Sequence, residues 1–274
     1  MQKLKKKWFF HIVDFRVYPF YLRLNLILVF FYLIFWIKPQ QLPSLGVLIF
    51  KENFSIILYF LIFILIVTLF SWLIQASLED NFLGYHCWET KAGFKIGIIL
   101  FITSEVCFFF SFFWTYFHRS LTRDLNIGLV WPPLGVNIVN PFSIPLLNSV
   151  ILIRSGLRVT ISHYDCFLGD ATDSIVWLLI TVFLGWLFLF LQIFEYNILL
   201  FSFADSVFGR IFFLGTGFHG LHVLLGRVIL LMMIVNFYKN YSWTDLISLE
   251  IRIWYWHFVD VVWLFLYFWF YWWP

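Results

Sequence analysis

Seven apolar runs, each about 20 residues long, decide what this chain can fold into: 20–37, 54–74, 95–118, 143–163, 173–196, 207–237 and 252–272. A helix needs about 20 consecutive apolar residues to cross a hydrocarbon core of about 30 Å. The runs are continuous rather than alternating, so they read as helices and not as barrel strands. A spanning helix also satisfies its own backbone hydrogen bonds, which lipid cannot do for it. The sixth run is long and is expected to tilt or to project beyond the bilayer. Composition closes the water-soluble route: 62% of the 274 residues are hydrophobic and only 12% charged, against about 25% charged in soluble domains. The expected class is an all-α membrane protein with seven transmembrane helices in a single polytopic domain, 1–274. The 75–94 loop is the most polar stretch after the N-terminus, and it divides helices 1–2 (20–74) from helices 3–7 (95–272).

The net charge of +3 says little about nucleic acid, and none is expected as a partner. Much of the positive excess sits in Lys3, Lys5, Lys6, Lys7, Arg16 and Arg23, ahead of the first run, as expected of a segment retained on the negative side. An odd number of spans then places the C-terminus on the opposite face. Trp8, Phe9 and Phe10 follow the basic cluster directly, without the look of a cleavable transit peptide. The three cysteines, Cys87, Cys107 and Cys166, show no metal spacing such as C-x-x-C and read as reduced thiols. The 119–142 loop, with Trp131-Pro132-Pro133 and Pro141, reads as a stiff connection. Phe268 to Trp273 ends the last span in aromatics suited to an interfacial belt.

Polar residues inside the runs carry whatever chemistry the chain has. Glu105 stands near the middle of 95–118, where an ionisable group is costly and marks a functional position. The plainer alternative is a buried Glu hydrogen-bonded to a neighbouring helix, and the residues alone leave both open. His219 and His222 are i and i+3 in the sixth run, on nearly one helix face. They read either as a metal or haem pair or as two helix-packing histidines. Packing is preferred, because no matching His or carboxylate pair completes a ligand set. His257 and Asp260 repeat the i, i+3 spacing in the last span. An Asp orienting a His is a device of metal sites, but a polar pair that locks helix packing is again preferred. Glu79, Asp80, His86 and Glu89 follow the second run, with Trp72 one or two turns before them, and read as a lipid-headgroup site or as an ordinary solvated loop.

Several motifs then fall in order from about residue 70 to the C-terminus: Ile102-Thr103-Ser104-Glu105-Val106, Phe112-Phe113-Trp114, Trp131-Pro132-Pro133, Pro145-Leu146-Leu147-Asn148, Ser155-Gly156, Leu191-Gln192, Glu195-Tyr196, Gly217-Phe218-His219-Gly220-Leu221-His222-Val223, and Trp254 to Tyr267. In these the chain resembles subunit III of the mitochondrial haem–copper cytochrome c oxidases. The resemblance implies seven helices arranged as two plus five around a lipid-filled cleft. It implies a non-redox core subunit of respiratory complex IV in the mitochondrial inner membrane, N-terminus in the matrix and C-terminus toward the intermembrane space. Haem and copper would sit in partner subunits, with no metal and no catalytic residue in this chain. Its partners would be subunit I, other complex IV subunits and phospholipids such as cardiolipin, phosphatidylglycerol or phosphatidylethanolamine. Glu105 matches the family's buried carboxylate near subunit I, and Trp72, Glu79 and His86 match positions lining the lipid cleft.

The chain also departs from the pattern. Tyr85 and Tyr164 stand where the family usually has histidine, and Ile74 and Leu78 where basic residues are common. Arg154, Arg158 and Arg227 lie inside spans where small or neutral residues are usual. Unpaired guanidinium at membrane depth costs ~2.5–3.5 kcal/mol even on a lenient scale. Partners are therefore expected: an acidic residue, a lipid phosphate or a further subunit, with snorkelling to the interface as the alternative. Two other functions fit parts of this pattern. A secondary transporter using Glu105, His219, His222 and Asp260 calls for inverted repeats, which the sequence does not show. A membrane metalloenzyme of the His-box kind calls for many more than the seven histidines present.

Overall fold

A computed structural model describes residues 16–37, 47–78, 88–122, 128–238 and 246–274. They form α1 (Tyr18–Ile37), α2 (Val47–Leu78), α3 (Trp88–Leu121), α4 (Ile144–Leu168), α5 (Ala171–Ile198), α6 (Val207–Tyr238) and α7 (Leu246–Leu266), the last continued by a π-helical turn at Tyr267–Trp272. No strand occurs among the described residues. Six of the helices are long and apolar enough to cross a membrane; the apolar part of α1, Tyr18–Ile34, is shorter. The chain is therefore an all-helical, multi-pass membrane protein.

The helices overrun the apolar runs at their polar ends. α2 begins at Val47 rather than 54, and α3 at Trp88 rather than 95. Lys51-Glu52-Asn53 and Glu89-Thr90-Lys91 continue a helix that no longer needs hydrocarbon around it. α4 ends on Gly169, whose φ of 85° is the left-handed conformation a residue without Cβ adopts freely. The Gly169 N–H donates to the Cys166 carbonyl and the Asp170 N–H to the Asp165 carbonyl. Asp170 then caps α5, its carboxylate accepting from the Asp173 N–H. This two-residue reversal makes α4 and α5 antiparallel neighbours.

The chain divides into two compact units, Met1–Thr90 and Lys91–Pro274. In the first, α1 packs on α2. In the second, α4 packs on both α5 and α7, and α6 on both α5 and α7. The contiguous core of that unit runs from Phe109 to Tyr271 and is dense in aromatics. Trp131, in the connection after α3, packs inward with ring centroids 5.5 Å from Tyr116 and 5.8 Å from Phe208.

Hydrogen bonds fasten the second unit helix to helix. On α7, Trp256 Nε1–H donates to Ser155 Oγ and Trp263 Nε1–H to Ser149 Oγ, each at 3.0 Å, tying α7 to α4 at two levels. Ser162 and Ser174 exchange hydroxyl-to-carbonyl bonds across α4 and α5 at 3.0 and 2.9 Å. Interhelical bonds of this kind contribute ~0.6 kcal/mol each on average in a membrane. Their larger effect is to fix register between faces that are otherwise uniformly greasy.

Candidate functional site

The polar residues of the second unit gather where helices meet. Glu105 projects from α3 toward α6, and His222 Nε2 lies 2.9 Å from its Oε2. The opposite ring nitrogen, Nδ1, is 2.7 Å from the Phe218 carbonyl. A carbonyl can only accept, so Nδ1 carries a proton, and the Nε2–Oε2 contact is completed by one further shared proton. Phe109 is 5.1 Å and Phe258 6.3 Å from the imidazole, centroid to centroid. Glu105 and His222 are half-buried, and this aromatic collar limits their access to water.

His219, one turn earlier on α6, is fully buried and donates from Nε2 to the Val259 carbonyl of α7 at 3.2 Å. Its Nδ1 has no partner among the described residues. Phe188 and Trp263 pack against the ring at 5.5 and 5.2 Å. The two histidines thus turn to different helices, His219 to α7 and His222 to α3.

On α7, His257 reaches Thr160 Oγ1 of α4 at 3.3 Å through Nε2. Asp260 lies against Gly156 of α4, where a Cβ would collide with its Oδ2 and stand 3.6 Å from His257 Nδ1. The two side chains face the same glycine, and Asp260 Oδ1 has no hydrogen-bond partner among the described residues.

The three arginines have three different surroundings. Arg227 is buried, its guanidinium 3.7 Å above the Trp186 ring, with Nε and Nη1 unpartnered among the described residues. Arg158 sits 4.6 Å over Trp177. Arg154 is exposed. Trp72 is half-buried on α2, in the other unit, whereas Glu79 and His86 lie outside the described residues, as do Tyr85 and Cys87.

One polar group stands in the sequence only as part of the Glu195-Tyr196 motif, with no role of its own. Glu195 on α5 is fully buried, and neither of its carboxylate oxygens has a hydrogen-bond partner among the described residues. Nearby, Asn148 donates to Gln192 at 3.4 Å, Gln192 to the Tyr271 hydroxyl at 3.5 Å, and the Tyr196 hydroxyl to Thr216 at 2.6 Å. The signal was a second carboxylate inside an apolar run, the same signal that marked Glu105. Lys95 and Glu250 form an ion pair at 2.6 Å between α3 and α7, both partly exposed. Among the described residues no three His, Cys, Asp or Glu side chains stand close enough to share a metal ion.

Fold and site together define a multi-pass helical membrane protein whose intramembrane polar groups meet across helix interfaces. The family model for cytochrome c oxidase subunit III matches residues 8–274. The chain belongs to that family. It is 48% identical over 217 residues to cytochrome c oxidase subunit 3 of Heterololigo bleekeri, covering 77% of this chain and 82% of the relative. To the proteins of the same name from Pisaster ochraceus and Paracentrotus lividus it is 43% and 45% identical, over 86% and 84% of this chain and 92% and 89% of theirs. It is therefore a subunit of complex IV of the respiratory chain, part of an oxidoreductase assembly.

Proposed function

We propose that the chain is a non-redox supporting subunit of cytochrome c oxidase in the mitochondrial inner membrane, docked chiefly on subunit I. Haem and copper are held by partner subunits, where cytochrome c is oxidised and dioxygen reduced to water. This chain braces subunit I, holds phospholipid and assists proton uptake and oxygen access there. The reading extends to a two-plus-five grouping of helices around a lipid-filled cleft lined by Trp72, Glu79 and His86. It places the N-terminus in the matrix and the C-terminus toward the intermembrane space. Cardiolipin, phosphatidylglycerol or phosphatidylethanolamine are the lipids that fit such a cleft. The family match along almost the whole chain carries this reading. The Glu105–His222 pair supports it, because each group already has its partner on a neighbouring helix.

Purification of the native complex is the direct test. The chain is expected to co-purify with a haem–copper core and with phospholipid. Glu105→Ala in the intact complex is expected to leave substantial cytochrome c oxidation, with the loss showing in stability or proton uptake. Complete loss of turnover with assembly intact would make Glu105 a participant in the chemistry and overturn the supporting role.

A further inference from the structure

Along α4, Leu147, Val150, Arg154, Leu157, Ile161 and Tyr164 follow one another at alternating steps of three and four residues. That is the spacing of a seam against which another helix packs. All six are exposed, the five other than Arg154 from 39% at Ile161 to 62% at Leu157, while Leu152, Ser155, Gly156 and Val159 on the other side are buried. α4 therefore spends one face on its own bundle and presents a second, ordered face outward. Acyl chains would suit five of the six positions. Arg154 is the exception.

Arg154 sits near the centre of the apolar stretch of α4, 10 residues from Ile144 and 11 from Asp165. At ~1.5 Å per residue it lies ~15 Å from either polar end, whereas an extended arginine reaches little further than one helical turn of ~5.4 Å. It cannot snorkel to a headgroup. The chain supplies aromatic faces to the other two arginines, Trp177 to Arg158 and Trp186 to Arg227. Among the described residues Arg154 has no hydrogen bond, ion pair or ring contact. Hydrocarbon offers no acceptor; a carboxylate offers two, in the fork geometry that guanidinium matches. The chain's own first two runs, 20–37 and 54–74, contain no Asp or Glu with which to supply one.

We propose that this face of α4 is a docking seam for a transmembrane helix of a partner chain, carrying an Asp or Glu at mid-membrane depth opposite Arg154. The proposal rests on the chain being a subunit of a multichain membrane complex and names where one partner sits. In the native complex, electron cryomicroscopy is expected to show a foreign helix along the seam, with a carboxylate oxygen within about 4 Å of the guanidinium. In a detergent-washed complex, Arg154→Leu is expected to lose that polypeptide at least ~10-fold relative to wild type, while Arg154→Lys, which keeps the charge but not the fork, loses less of it. Acyl chains along the seam, or a helix without a carboxylate at that depth, overturn the docking seam. If the haem spectrum is intact in that preparation, the functional reading stands. A chain that purifies without haem overturns the functional reading, and a bare seam in that preparation overturns both.

Discussion

Glu105 and His222 are 117 residues apart and share one hydrogen bond. Removing one partner leaves the other's polar atom unsatisfied in an aromatic collar, at a cost of about 1–3 kcal/mol. Glu105→Ala is thus expected to lower the melting temperature of the detergent-solubilised complex, and Glu105→Gln, which keeps an oxygen and a donor, to lower it less. Thermal denaturation followed by tryptophan fluorescence checks the order; equal melts for the two variants would mean the hydrogen bond contributes nothing. Arg227 leads to the opposite expectation. Its guanidinium is buried with unpartnered nitrogens, so a volume-matched apolar side chain removes a desolvation cost, set against a cation–π contact with Trp186 of about 2 kcal/mol. Arg227→Met is expected to melt within a few degrees of wild type or above it, while Arg227→Ala, which opens a cavity between α5, α6 and α7, costs about 2–5 kcal/mol. The positions of these polar groups were legible from the chain, because a charge in an apolar run is conspicuous. Their partners were not. His257 and Asp260 at i, i+3 read as a polar pair that locks helix packing, but the spacing did not say against which helix; both turn toward α4, His257 to Thr160 and Asp260 to Gly156. Which neighbour a residue faces is decided by tertiary packing and leaves no trace in local spacing.

At the scale of the helix, what varies is how closely two backbones approach. Gly156 of α4 lies directly under Asp260 and His257 of α7, with no space for a Cβ. Gly217 of α6 has nothing within 4 Å of where its Cβ would be. Two glycines in apolar helices therefore respond oppositely to the same substitution. Gly156→Ala is expected to push α7 from α4 and destabilise by about 1–3 kcal/mol. Gly217→Ala is expected to be neutral or to stabilise by up to about 1 kcal/mol, the helix-propensity gain over glycine. Melting of both variants in one detergent decides this; a destabilised Gly217→Ala alongside an unaffected Gly156→Ala would invert the assignment of close contacts. The existence of the spans was readable from length and continuity, since hydrocarbon thickness sets both. Their ends were not, because α2 continues through Lys51-Glu52-Asn53 without needing apolar residues there. The π-helical turn at Tyr267–Trp272 was equally hidden. It closes with the Trp273 N–H donating to the Phe268 carbonyl while the Trp273 carbonyl accepts from the buried Tyr116 hydroxyl, a contact 157 residues away.

Across the whole molecule, burial is unevenly shared. The contiguous core runs from Phe109 to Tyr271, cross-linked by the Trp–Ser, Ser–Ser and Glu–His contacts between its helices. α1 and α2 pack on each other, but among the described residues only Leu58 and Leu61 on them are buried, and large side chains such as Phe20, Phe30, Tyr59 and Phe63 are 62–71% exposed. A helix pair with so little of its own core depends on what surrounds it. Local opening of such a pair is governed by those outside contacts, whereas opening of α4–α7 must break contacts the chain makes with itself. Removing phospholipid from the native complex is therefore expected to separate the two. Amide hydrogen exchange in 18–37 and 56–75 should accelerate at least ~10-fold, equivalent to ~1.4 kcal/mol of lost protection, while 171–198 and 207–238 change by less than about a third of that energy. Equal acceleration in both units would mean that lipid supports the bundle as a whole. No change in either would mean that the first two helices are held by protein alone, and that lipid has no structural share in this chain.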